Sequence, residues 1–336
     1  MELIQVNTAI NNEPLHVKEL IQPIVNDIQI GNNTPFIEAN TIQVSISELT
    51  AEHIIPVFIK DNEPVISHGA MIETVMECVQ NVFNGERINV PDIRVSHPIK
   101  GRIPEARNKP AGELMEHEKT LYYERMAFVV TVPSIATDIA GNKLLLTIGG
   151  VKAYNLDNLY AKSGAEQHFK VFIGFQNTVC TNLCVSTDGY MSNLKVRNLP
   201  QLKSAVNSLL SEYKIDKEIN TMSSMQGLSI SESQFAHFIG RCRMYKYLQP
   251  AMKQDIGEMM FGDAQINVVC KDYYNDLSFS RSADGSINLW KLYNLLTGAN
   301  KGSYIDSFLD RSANAYTIVN ELQDSIISSS DNWFLN

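Results

Sequence analysis

An α+β fold, a mainly antiparallel sheet followed by a largely helical part packed on it, is the class this chain predicts. Three observations predict it. Alternating apolar and polar residues recur from 121 to 197, in LYYERMAFVVTV, KLLLTIGGVKAYN, HFKVFIGFQN and TNLCVSTDGYMSNLKV. After Pro200 the apolar residues recur instead at three- and four-residue spacing, the helical period. The 336 residues, 44% hydrophobic and 19% charged, are enough to bury a large core without disulfide or metal staples.

The elements follow in chain order. Residues 1–36, rich in Asn, Gln and short apolar patches and broken by GNNTP at 31–35, read as an N-terminal arm. A β-rich core is expected over 37–198. Ile42, Val44 and Ile46 alternate as in a strand, and Pro56 marks HIIPVFIKDNEP (53–64) as an edge or irregular strand. Ser67 is a plausible N-cap for a helix whose stripe is Met71, Ile72, Val75, Met76, Val79, Val82 and Phe83, with Gly85 closing it. Cys78 lies near that stripe as an inert buried thiol.

From 87 to 109 the prolines predict loop, apart from a short strand near Ile93 and Val95. Around 126–130 both faces of the next strand are apolar, which predicts a central strand. Residues 133–142 read as its connection to an antiparallel return, LLLTIGGVKAY. Gly149 and Gly150 there mark a bulge or a close backbone approach. FKVFIGFQN is a further strand, and TNLCVS and YMSNLKV flank Asp188-Gly189, a hairpin-type turn signal.

A mostly helical part is expected over 199–327. Leu202, Val206, Leu209, Leu210 and Tyr213 form one stripe. Ser231 with Gln234 makes a capping box for a second helix, carrying Phe235, Phe238, Ile239, Cys242 and Leu248 and stopped by Pro250. AQINVVCKDYY (264–274) reads as a late strand that rejoins the sheet or stays apart, so one intertwined domain and two domains both stand. Helices are expected over 287–297, ended by Gly298, and over 304–327. Residues 328–336 are a polar tail with an aromatic tip.

A net charge of −9 repels phosphate polymers, so contact with nucleic acid or an anionic membrane requires a segregated basic face. The five cysteines (78, 180, 184, 242 and 270) form no framework. Met1 opens no signal peptide, and no apolar run is long enough to span a bilayer. A soluble cytoplasmic protein with reduced thiols and no membrane partner is expected. No cofactor or metal is expected. Walker A and dinucleotide fingerprints are absent, and Cys180-x-x-x-Cys184 lacks the second close pair of a zinc site. His53, His68 and His97 show no metal spacing, and no Gly-x-Ser-x-Gly provides a nucleophile.

The candidate chemistry is basic and aromatic. Residues 87–109 hold six basic side chains against two acidic ones, among them Arg94, Lys100, Arg102 and Arg107. GRCRMYKYLQPAMK (240–253) adds Arg241, Arg243 and Lys246 with Tyr245 and Tyr247 and no acid. Cations that follow a phosphate backbone, with rings for stacking, are what single-strand binding uses. The bland reading is a salt-bridged loop and the solvated side of a helix. A second reading is a protein-binding or inhibitory module working through acidic surface and the Trp290–Tyr293 helix. A third is a metal-dependent hydrolase or nuclease using Glu118, Glu124, Asp272 and Asp276. Oligomeric state stays open, and no catalytic residue is assigned.

RVSHPIKGRIPEA, KTLYYERMAF, TIGGVKAYN, FKVFIGFQNTVCTNLCVSTDG, FIGRCRMY, DYYND and NLWKLYNLLTGANKGSYIDSFLDR resemble, in order over 36–325, the blocks of the family called domain of unknown function 3871. They are also distantly similar to phage- and plasmid-type proteins. The resemblance implies a bacterial, phage or mobile-element setting and hence an accessory role beside replication, recombination or defence. It carries no catalytic residue over to this chain.

Overall fold

The computed structural model describes residues 34–51, 65–106, 108–157 and 166–336. The expected arm as far as residue 33, the segment around His53 and Pro56, and Arg107 lie outside them.

β1 (Ile42–Val44) leads into α1 (Ile46–Ala51), and α2 (His68–Val82) starts where Ser67 caps it by accepting from the Ala70 N–H at 3.1 Å. β2 (Asp92–Val95) follows, then β3 (Pro98–Arg102) and β4 (Lys119–Tyr123). β5 (Arg125–Ile139) and β6 (Asn142–Ala153) are the two longest strands, followed by β7 (Gln167–Asn177), β8 (Leu183–Cys184) and β9 (Tyr190–Val196). The main sheet runs β1-β2-β5-β6-β7, with β8 and β9 both on the far edge of β7, and every pairing is antiparallel. Both faces of β5 are apolar because both are covered. Met126, Phe128 and Val130 join Met71, Ile72 and Val75 of α2 on one side, whereas Ala127 and Val129 pack with Phe36 and Ile37 on the other.

Several expectations need correction. Residues 133–139, read as connection, continue β5. The true turn is Ala140-Gly141, where φ is positive at both residues, as a two-residue hairpin loop requires. Asp188-Gly189 makes no hairpin, since its two flanks pair with the same strand. Phe175 faces Cys184 and Phe172 faces Tyr190, so residues 185–188 interrupt one edge that Gly189 rejoins by accepting from the Ile173 N–H at 2.8 Å. Gly149 and Gly150 sit in unbroken register, and close approach is the reason for them. A Cβ on Gly149 would lie 2.1 Å from the Phe128 carbonyl oxygen, and one on Gly150 2.6 Å from that of Lys170. The register shift in this strand pair falls between Val132 and Ala136 instead.

The helical part opens with α3 (Leu199–Glu212) and α4 (Ile215–Ser224). β10 (Ser229–Ile230) precedes α5 (Glu232–Met244), whose Ser231–Gln234 capping box forms as expected. Pro250 does not stop that helix. It occupies the first turn of α6 (Pro250–Lys253), where a missing N–H costs nothing. The late strand is a helix, α7 (Asp263–Asn275). Its β-branched run looked like a strand, but Ile266, Val269 and Tyr273 bury one face at three- and four-residue spacing. β11 (Ile287–Asn288) pairs with β10 and leads into α8 (Leu289–Asn300), which runs through Gly298 and is buried nearly all round. α9 (Ile305–Ser328) is a long rod. Its Ile305, Phe308 and Leu309 cover the second face of the sheet, while Tyr316, Val319 and Leu322 join the main core. Residues 34–336 form one compact unit, into which the tail tucks Phe334 and Leu335. None of the described helices is long and apolar enough to cross a membrane.

Candidate nucleic-acid interface

β3 and β4 pair with each other in a two-stranded ribbon of their own, separate from the main sheet. Alternation decides which side chains share a face. Lys100 stands opposite Leu121 and Arg102 opposite Lys119, so three cations project from one side. All three line a cleft of 620 Å³ with Gly101, Leu114 and Glu116. Like charges directly opposite across a ribbon repel, so the arrangement works against the ribbon's own stability.

Internal partners restrain part of this charge. Arg102 donates to the Lys109 carbonyl, and Lys109 pairs with Glu118, which also accepts from the Met115 N–H at 2.9 Å. These donors hold the Glu118 carboxyl below its ordinary range. Lys119 reaches Glu116 at 2.5 Å and lowers it in the same way. Lys100 is exposed and has no ion pair among the described residues.

The remaining basic candidates are placed differently. Arg94 lies on β2, where its guanidinium donates to the Thr41 hydroxyl at 3.3 Å and carbonyl at 3.4 Å, stapling the sheet edge. Arg241 on α5 donates to His237 and to the Asn336 carbonyl, each at 2.9 Å, and lies 4.7 Å from the Trp333 ring centre. Arg243 donates to Asn267 of α7, and Lys246 pairs with Asp263. Tyr245 is half-buried beside Trp333, whereas Tyr247 is 76% exposed with Lys246 5.0 Å from its ring centre. The structure thus brings Lys100 and Arg102 together and puts Arg241, Arg243, Lys246 and the tyrosines in the helical layer. Lys119 is the residue that sequence reasoning missed. The register of PIKGR against KTLYY was the signal, hidden because 121–131 read as one strand that in fact breaks at Glu124.

Across the chain, a family model described as "Domain of unknown function, B. Theta Gene description (DUF3871)" matches residues 19–335. The chain belongs to this family. Nothing among the curated proteins or the solved structures matches this DUF3871 member.

The other readings also meet the geometry. Trp290 and Tyr293 are 1% and 0% exposed, so the α8 surface assigned to a partner is interior. Glu118 is tied to Lys109 and Glu124 to Arg125, while Asp272 and Asp276 lie at the C-terminal end of α7. Burial and the nearby Asp276 raise the Asp272 carboxyl. Among the described residues no three His, Cys, Asp or Glu side chains are arranged to hold a metal ion. Cys184 is buried and Cys180 half-buried, and burial pushes both thiols up.

Proposed function

We propose that this chain is a non-enzymatic accessory protein that contacts nucleic acid phosphates with the outer face of the β3–β4 ribbon. One observation carries the reading: Lys100, Arg102 and Lys119 line one cleft from the same face of the ribbon, with Lys100 exposed and without an ion pair among the described residues. On a chain of net charge −9 such a patch is the segregated face that phosphate binding requires. Tyr247, exposed beside Lys246, is a second point where a base could stack. A mobile-element setting agrees with the family resemblance but adds no residue to the argument.

The test is a titration of labelled single- and double-stranded oligonucleotides at two salt concentrations. Wild-type protein and a Lys100→Ala/Arg102→Ala/Lys119→Ala variant are compared. Binding that weakens with salt, with a log–log slope smaller by about 3 in the variant, supports the ribbon. No binding at low salt defeats the reading, and equal binding by the variant removes the ribbon from it.

A further inference from the structure

The cleft beside the β3–β4 ribbon is lined by more than cations. On the exposed face of the ribbon Leu121 stands directly opposite Lys100 and is 37% exposed. The stretch that joins the two strands adds Ala111 and the half-buried Leu114 to the same lining. A single leucine left in solvent is ordinary on any protein surface. Here three apolar side chains and an exposed lysine border one concavity.

Charge is distributed unevenly around this lining. Lys119 is paired with Glu116, which borders the cleft as well, so that rim is close to neutral. Arg102 uses one N–H on the Lys109 carbonyl, and a guanidinium has further donors. Lys100 is exposed and has no ion pair among the described residues. The cleft therefore offers an anion contact at Lys100 beside an apolar surface, and not a uniformly basic track. Its volume of 620 Å³ falls within the range of about 300–1,000 Å³ found for clefts that hold small organic ligands.

We propose that this cleft holds one nucleotide of a single strand, its phosphate at Lys100 and its base against Leu121 and Leu114. The assignment rests on the phosphate-binding reading of the ribbon and narrows the partner to unpaired nucleic acid. A duplex keeps its bases stacked inside and presents phosphates and groove edges, which leaves nothing to set against Leu121. A single strand can turn a base out, cover the leucines and still bring its backbone to the cation. Glu116 repels a second phosphate from the Lys119 rim, so the cleft holds one nucleotide and not a tract.

The full chain is titrated by fluorescence anisotropy with three labelled probes of equal length: a deoxythymidine oligomer, its duplex with deoxyadenosine, and an abasic oligomer. The thymidine strand is expected to bind about tenfold tighter than either of the others. Equal binding of all three, or tighter binding of the duplex, overturns the single-strand assignment and leaves phosphate binding by the ribbon standing. No binding of any probe at low salt defeats both. A Leu121→Ser variant is expected to lose about the same factor on the thymidine strand and nothing on the duplex or the abasic strand. Lys100→Ala is expected to weaken all three alike. Undiminished binding of the thymidine strand by Leu121→Ser also overturns the assignment. If that variant does not fold, the abasic comparison on the wild-type chain still decides.

Discussion

Two stretches of this chain carry the same excess of positive charge, and the fold uses them in opposite ways. In the β3–β4 ribbon, strand register forces Arg102 against Lys119 and leaves Lys100 exposed beside them. On α5 and the turn that follows it these cations find neighbours: Arg241 Asn336 and Trp333, Arg243 Asn267, and Lys246 Asp263. A basic run is therefore not in itself a binding surface. Both regions tie cations to neighbours, Arg102 and Lys119 included, and what separates the two is Lys100, exposed and with no ion pair among the described residues.

The sharpest break between them is a pair of triple variants. Lys100→Ala/Arg102→Ala/Lys119→Ala is expected to abolish oligonucleotide binding at moderate salt and leave the melting temperature close to wild type. Arg241→Ala/Arg243→Ala/Lys246→Ala is expected to keep the binding and lower the melting temperature. Reversed results would exchange the roles of the two regions.

Next in size is an acid effect on the scaffold that holds both regions. His68 ordinarily titrates at 6.5 and is lowered to about 3 here, chiefly by burial, so the unfolded chain takes up a proton in that window that the folded chain refuses. Stability is therefore fully present above the unfolded value and is lost as pH falls towards about 3. This group contributes a slope of at most about 1.4 kcal/mol per pH unit. Urea unfolding across the window measures it, and a His68→Gln variant is expected to flatten the profile by one proton.

A smaller effect belongs to Arg241 alone. Arg241→Ala removes the contact with Trp333 and the bond to Asn336, and about 1–2 kcal/mol of stability should go with them. Differential scanning calorimetry reads this, with oligonucleotide affinity unchanged. Smallest is Lys246→Ala. Its pair with Asp263 is solvent-exposed on both sides, so neither the melting temperature nor its salt dependence is expected to move measurably.

Much of the secondary structure was readable because its causes are local. Ser67 and the Ser231–Gln234 box announced two helix starts within a few residues of the groups they satisfy. The apolar faces around 126–130 announced a strand covered on both sides. The failures came where local and distant signals compete. Ile266, Val268 and Val269 carry strand propensity, yet packing on neighbouring helices chose the helical period. Asp188-Gly189 is a turn by its chemistry, but β7 was long enough to pair with both of its flanks. The candidate interface was half readable: the basic stretch was plain, while the separation of Lys100 and Arg102 from Arg94 depended on which strand each one paired with.

By itself, then, the sequence determined the fold class, most helices and strands, and the presence of two basic segments. Periodicity, capping and charge are written into neighbouring residues. Only the tertiary structure decided that Lys119 joins Lys100 and Arg102, which neighbours Arg241, Arg243 and Lys246 meet, and that Lys152 lies buried among Asp157, Phe169 and Tyr154. Alternation tells which residues share a face. Register, chosen by the burial of the whole sheet, decides what that face meets.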